Sequence, residues 1–408
     1  MIQKAGVYKY KKCVNVTALG MVDDVCAVNE CHTDSVEANA FINVKIEQKK
    51  LRFSKEKCVQ IHIGKKKDDK DCHTKLKVHQ DIMKKKTSGS YLGDILSSDG
   101  TIDLTIEDRR QKGIGLVTQV SGMINNVSLG IHYFRIAFNL RECKLINGIM
   151  TNSEVWYNVK EKHLETLEGL DEMLLRKIFK GQSKTALEAF YLEGGIIPVR
   201  FILAKRKLMY LWTILRRPEE ELLKKVFNVQ QAIKTPGDWA LKIKGELEKY
   251  EIDITDEEIK NMSKYKYSNI VKKKVDKAAM MYLNGKAAKH SKSIDLMKSE
   301  KCREKYLDDE RIGLSNAQLL FKLRTRMIPV KTNFPAMWNN DVACRTCKSS
   351  VEIESQAHLL KCTGISEFIN IPESVKYGDI FNDVEKQLKA VDTFKKILRQ
   401  HEMMLNCQ

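Results

Sequence analysis

The sequence predicts an α+β protein with a mixed N-terminal region, a long helical middle and a small metal-binding module near the C-terminus. Three observations carry this. Over residues 1–105, short apolar runs alternate with polar residues and are cut by turn signals, the periodicity of strands. From Asp103 to about Lys305 apolar residues recur at three- and four-residue spacing, the mark of amphipathic helices. Near the end, three cysteines and a histidine stand at metal-ligand spacing. A chain of 408 residues with 43% hydrophobic content can bury real cores and accommodate two or three domains.

The elements follow in order. Val14, Val16 and Leu19 form a strand that runs into Met21-Val22-Asp23-Asp24, and Val25 and Val28 continue as a second. Val36, Ala40, Ile42 and Ile46 predict a helix from about Thr33 to Lys50. Val59, Ile61 and Ile63 alternate with polar residues as a strand. Lys84 to Gly89 reads as a basic loop, Tyr91 to Leu96 as a short strand, and Ser98-Asp99-Gly100 as a turn. Helices then span Glu107–Ile124, Ile131–Met150 and His163–Phe179; the last has Leu164, Leu167, Leu170, Met173, Leu174 and Ile178 on one face. Gly194-Gly195 with Pro198 is a break. Pro218 starts another helix, with Glu219 to Glu221 in its first turn. Thr255-Asp256-Glu257-Glu258 matches a capping box. Residues 328–335 read as a linker, and a strand and helix close the chain over Tyr377–Gln400.

The formal net charge of +18 and the pI of about 9.2 favour a polyanionic partner, nucleic acid first. A membrane partner is not expected: the longest apolar stretch, Ile196–Leu215, is broken by Arg200, Lys205, Arg206 and Lys207. The N-terminus lacks the apolar run of a signal peptide, so an intracellular location is expected, in cytoplasm and nucleus. The eleven cysteines then suit reduced thiols and metal ligands better than disulfides.

Asp23-Asp24 falls between two apolar half-strands, where a tight turn projects carboxylates at a hairpin tip. Two-metal polymerases use such carboxylates to hold magnesium, which prefers hard oxygen ligands. Adjacent acids are common, however, and Asp68-Asp69 and Asp308-Asp309 read as solvated surface. The order around the pair adds to it. Leu19-Gly20-Met21-Val22-Asp23-Asp24-Val25 is followed by Phe41-Ile42-Asn43-Val44-Lys45, by Leu51-Arg52-Phe53-Ser54-Lys55-Glu56-Lys57-Cys58 and by Tyr91-Leu92-Gly93-Asp94-Ile95-Leu96. In this order the chain resembles the reverse transcriptases of non-LTR (LINE-type) retrotransposons.

That resemblance implies a truncated palm over residues 1–102, a helical thumb and linker over 103–335, a zinc module over 336–366 and a strand–helix tail over 367–408. It implies that Asp23 and Asp24 bind Mg2+ and that Lys57 protonates the leaving pyrophosphate; a solvated strand-edge lysine is the other reading of Lys57. It implies that Tyr91, Leu92 and Gly93 position the primer. The partners it implies are an RNA template, a DNA primer and dNTP, and the activity RNA-directed DNA synthesis. Met21 stands where the family has an aromatic residue. The family's earlier metal-binding palm strand, its Gly-rich nucleotide pocket, its fingers and its upstream endonuclease have no counterpart in the twenty-two residues before Asp23, so these residues alone are expected not to polymerise. The alternative is a non-catalytic, nucleic-acid-binding zinc protein derived from a retroelement.

Cys344, Cys347, His358 and Cys362 form the pattern C-x2-C-x10-H-x3-C. The first pair suits a tight knuckle, and the second places His and Cys one helical turn apart. Four such ligands with no open position describe a structural Zn2+ site. Many LINE-type enzymes carry a similar cluster after the thumb. Arg345, Lys348 and Lys361 around it suit phosphate contact or solubility. Lys205, Arg206 and Lys207, with Tyr210, Trp212, Arg216 and Arg217, put cations and aromatics on one helix. They suit phosphate contact and base stacking, or packing of Leu208, Leu211, Ile214 and Leu215 with the cations in solvent. Lys322, Arg324 and Arg326 form a second candidate patch.

Overall fold

The structure is a computed structural model that describes residues 18–21, 24–28, 32–54, 56–63, 76–78, 81–126, 129–347 and 351–406. Strands β1 (Ala18–Met21) and β2 (Asp24–Ala27) precede helix α1 (His32–Gln48). Short strands β3 (Val59–Gln60), β4 (Lys77–Val78), β5 (Asp81–Ile82) and β6 (Lys84–Lys85) follow, then β7 (Ser88–Tyr91) and β8 (Asp94–Ser97). The long helices begin with α2 (Asp103–Asn126) and α3 (Tyr133–Leu140); the latter runs through a π-helical stretch, Arg141–Ile146, into α4 (Asn147–Ile149). Helices α5 (Glu161–Phe179), α6 (Leu187–Gly194), α7 (Val199–Leu215), α8 (Leu222–Ile233), α9 (Trp239–Lys249), α10 (Asp256–Asn261), α11 (Lys264–Ala287) and α12 (Gly313–Arg324) follow. The chain closes with α13 (Gln356–Leu359), α14 (Thr363–Ser366) and α15 (Val384–Asn406). The described chain is thus mostly helical with a few small two-stranded sheets, an α+β composition.

It divides into two compact units that are discontinuous in sequence. One comprises Met1–Lys112, Ile149–Leu167 and Leu203–Lys272; the other comprises Gly113–Gly148, Glu168–Ile202 and Lys273–Gln408.

In the first unit β1 and β2 pair antiparallel with Met21 opposite Asp24, which leaves only Val22 and Asp23 between the strands. Strand β3 is shorter than the alternation predicted and pairs in parallel with β6, so the expected basic loop is partly strand. Tyr91–Leu96 is not one strand but the turn of a hairpin. Leu92 and Gly93 both have positive φ, 49° and 88°, the geometry that matches the twist of a two-residue hairpin. Leucine is strained there, and the surroundings hold it: Asn152 Nδ2 donates to Leu92 O at 2.8 Å and buried Arg109 donates to Gly93 O at 2.9 Å and to Asp94 at 2.8 Å. Gly89 is needed because a Cβ would lie 2.7 Å from Val59 Cγ2. Further on, Trp239 packs edge-on against Tyr210 and Phe227.

The predicted helix start at Pro218 moves to Leu222. Glu221 adopts an extended conformation and its N–H bonds back to Pro218 O at 3.1 Å, so Pro218 to Glu221 form a turn before the apolar residues begin. The capping box at Thr255 is present, with Thr255 and Glu258 satisfying each other's backbone N–H. Thr255→Ala should therefore weaken local protection of α10 by about 1 kcal/mol, read as faster amide exchange confined to residues 256–261.

The second unit is built around a cluster of phenylalanines in tilted and edge-on contact. Phe179 lies 4.4 Å from Phe321 between ring centroids, 5.3 Å from Phe134 and 5.6 Å from Phe190, all fully buried. Each such ring contributes roughly 1.5–3 kcal/mol by leaving water. The predicted apolar face of α5 holds at Leu167, Leu170, Leu174 and Ile178, but Met173 is exposed and Asp171 is fully buried. The expected linker at 328–335 is packed: Ile328, Val330, Lys331 and Asn333 are buried. Tyr377–Phe381 is a 3-10 turn instead of a strand, because Asp379 accepts the Lys376 N–H at 2.8 Å and curls the chain.

Candidate metal centre

The four residues predicted to bind metal come together on a knuckle and two short helices of the second unit. Ala343 pairs with Ile353 in an isolated antiparallel bridge, and the Cys344 N–H donates to Glu352 O at 2.8 Å. That pairing places Cys344 and Cys347 on a tight loop. Ser355 then caps α13 by accepting the His358 N–H at 3.1 Å. Cys362 follows at the N-cap of α14.

The ligand atoms of Cys344, Cys347, His358 and Cys362 all lie within 4.8 Å of one another. Sγ of Cys344 and of Cys362 are 3.8 Å apart, and Cys347 Sγ is 3.6 Å from His358 Nε2. Zinc at about 2.3 Å from sulfur and about 2.0–2.1 Å from nitrogen needs tetrahedral edges of about 3.8 and about 3.5 Å. Both distances therefore fit zinc. His358 Nδ1 lies 3.1 Å from Glu352 Oε2, so a proton held there leaves the Nε2 lone pair for metal, the usual carboxylate–histidine–zinc relay. Burial pushes the Cys344 thiol up, but hydrogen bonds from the Cys347 and Thr346 N–H groups and the Thr346 hydroxyl bring it down to about 6. A thiolate is the species a metal binds.

Residues outside the motif complete the site. Glu354 is fully buried and takes the Arg345 Nε at 2.8 Å, the Arg345 N–H at 3.0 Å and the Lys331 N–H at 3.1 Å. His401 of α15 is 3.6 Å from the same carboxylate. Burial would raise this carboxyl, but the Arg345 and His401 contacts hold it well below the usual range. Gly364 faces the knuckle so closely that a Cβ would sit 2.5 Å from Thr346 O. The Cys/His spacing revealed the ligands; Glu352, Glu354 and Gly364 carried no comparable signal.

The other predicted site residues are distributed elsewhere. Asp23 lies outside the described residues, and of Asp24 only the backbone is described, within β2. Lys57 is exposed in the turn before β3, not in a strand. Tyr91, Leu92 and Gly93 stand at the β7–β8 turn. On α7, Leu208, Leu211, Ile214 and Leu215 are buried as the packing reading requires. Lys205 and Arg206 are half-buried, and Arg206 donates to Met150 O at 2.7 Å. Burial pulls Lys207 down to about 8. Arg216 and Arg217 are exposed; Arg216 stacks over Trp212 and Arg217 meets Glu221 at 3.3 Å. The structure corrects the reading of Arg345, whose guanidinium is committed to Glu354 and to the Trp338 face, 4.4 Å away. It also corrects the second basic patch, since Arg324 is buried on Glu193.

No helix among the described residues is long and apolar enough to cross a membrane. Comparison with family models, with curated proteins and with solved structures finds no match for this chain.

Proposed function

We propose that this chain grips a template–primer duplex as the part of a LINE-type reverse transcriptase that runs from the Asp-Asp turn through thumb and zinc module. The observation that carries the reading is the order of two hairpins. An antiparallel pair brackets Asp23 with Met21 opposite Asp24; after α1 and the Lys57 turn, a second tight hairpin turns at Leu92-Gly93. In this reading Asp23 and Asp24 bind Mg2+, Lys57 assists pyrophosphate departure, and Tyr91, Leu92 and Gly93 seat the primer end. Arg216 and Arg217 supply exposed cations for phosphate; their contacts are surface contacts of small energy, easily exchanged. The zinc geometry equally favours a second reading, a non-catalytic nucleic-acid-binding protein.

Fluorescence anisotropy with an RNA–DNA template–primer tests both. Affinity should fall linearly in log–log against salt, with a slope of about −0.9 per phosphate neutralised. Arg216→Ala with Arg217→Ala should flatten that slope by about 2. Tighter binding to a recessed primer junction than to blunt duplex favours the reverse-transcriptase reading. Equal affinity for every form favours the second, and a flat salt dependence or no binding at low ionic strength would refute both.

A further inference from the structure

A cavity of about 260 Å³ opens in the second unit. Its wall is formed by Lys184 and Ala186 before α6, by residues 289–293 after α11, and by Thr325 and Met327 after α12. Three of the lining side chains are lysines: Lys184, Lys289 and Lys292. Among the described residues none of the three has a carboxylate partner. Lys184 and Lys292 each approach the Phe334 ring, with their Nζ atoms 5.9 Å from its centroid. Lys292 is held in place by donating to Asn333 O at 2.9 Å.

The surrounding charge is unbalanced. Glu188 lies 4.0 Å from His290, and Asp295 is occupied by Arg326 at 2.6 Å. With Arg326 and Asp295 paired to each other, the three lining lysines face one nearby carboxylate, Glu188. Burial, Lys184 and Arg326 together lower the Lys292 pKa, as expected where positive charge lacks a counter-ion. Helix α6 supplies that carboxylate, Glu188. The helix begins beside the cavity, which Ala186 and Ala189 line, and it carries the buried Glu188 in its first turn. Three lysines lining one cavity, with a single nearby carboxylate, suit an anion.

We propose that this cavity binds a phosphate group, either the terminal 5′-phosphate of a nucleic-acid strand or free pyrophosphate. A concave site of this size seats a group that ends in phosphate, with several oxygens open to several donors. A diester in mid-strand offers only two free oxygens. The inference needs no polymerase chemistry and stands apart from the reverse-transcriptase reading.

Calorimetry on the full chain tests it with three probes: pyrophosphate, a 5′-phosphorylated hexanucleotide and its 5′-hydroxyl twin. Pyrophosphate should bind, and Lys184→Gln with Lys292→Gln should weaken it at least tenfold. A charge-matched control, Lys386→Gln with Lys396→Gln on the exposed face of α15, should leave it within twofold. Lys289→Gln, at an exposed position, gives a second variant that spares the fold and should weaken binding several-fold. A 5′-phosphate that improves hexanucleotide affinity only when Lys184 and Lys292 are present identifies a strand end as the source. Equal affinity of the twins with pyrophosphate still bound identifies the free anion. No pyrophosphate binding, or equal losses in the cavity and control variants, overturns the proposal.

Discussion

Chelating zinc should unfold residues 336–366 and loosen α15 from them, while the phenylalanine cluster of the same unit stays folded. The knuckle has little apolar material of its own: Met337, Val351 and Ile353 are exposed, and Leu359, Cys362 and Ile365 form most of what is buried. A core this small is marginal without metal. Binding in comparable modules supplies about 10–16 kcal/mol near neutral pH, far more than those side chains contribute. The unfolding should reach α15, because His401 and Arg345 share the Glu354 carboxylate and lose their common partner when the knuckle opens. It should stop short of Phe134, Phe179, Phe190 and Phe321, which pack on one another. Metal analysis should find one equivalent of zinc in the native protein and less than half in Cys362→Ser. Near-ultraviolet circular dichroism should lose the Trp338 signal, while most far-ultraviolet helix signal remains. Full zinc content in Cys362→Ser, or collapse of all helix on chelation, would show that the site or its reach has been misjudged.

Asp171→Ala should destabilise the second unit by about 3–5 kcal/mol. Arg141 is 1% exposed and Asp171 0%. The pair is bidentate, Nε to Oδ1 at 2.6 Å and Nη2 to Oδ2 at 2.5 Å, with Tyr191 donating to the same carboxylate at 3.0 Å. Removing the acid strands a guanidinium whose only other described acceptor is Ile197 O at 3.3 Å. Nothing at that depth replaces water. Arg141 is also the first residue of the π-helical stretch. The control is Arg141→Met combined with Asp171→Leu, which removes both charges at similar volume. A buried pair exchanged whole is often neutral or stabilising, so the double variant should recover most of the loss in urea denaturation. A double variant as unstable as Asp171→Ala would mean that packing, not the stranded charge, sets the cost.

Periodic features were legible in the sequence. The run of helices after Asp103, the capping box at Thr255, the turn at Asp99-Gly100 and helix α1 each depend on residues within a few positions of one another, and local pattern records local structure. The candidate metal ligands were legible for a related reason. Their spacing is a covalent constraint that few other arrangements require, and the structure brings all four within 4.8 Å.

What the pattern could not assign was the destination of charged side chains. Asp171 and Glu193 look like solvent-facing residues on their helices, and Arg324 and Arg345 look like surface cations. All four are bound into ion pairs whose partners lie 9 to 131 residues away. A charge can be buried only where a distant segment delivers its counter-charge, and helical periodicity holds no record of that segment. For the same reason periodicity read Tyr91–Leu96 as one strand, since positive φ at Leu92 is tolerated only because Asn152 and Arg109 bind the turn's carbonyls. The sequence by itself determined the helical middle, the composition class and the candidate metal-ligand set. The tertiary structure alone decided which cations are left to meet a polyanion, because pairing across the chain consumed Arg324 and Arg345, while among the described residues the lysines around the α6 cavity have no carboxylate partner.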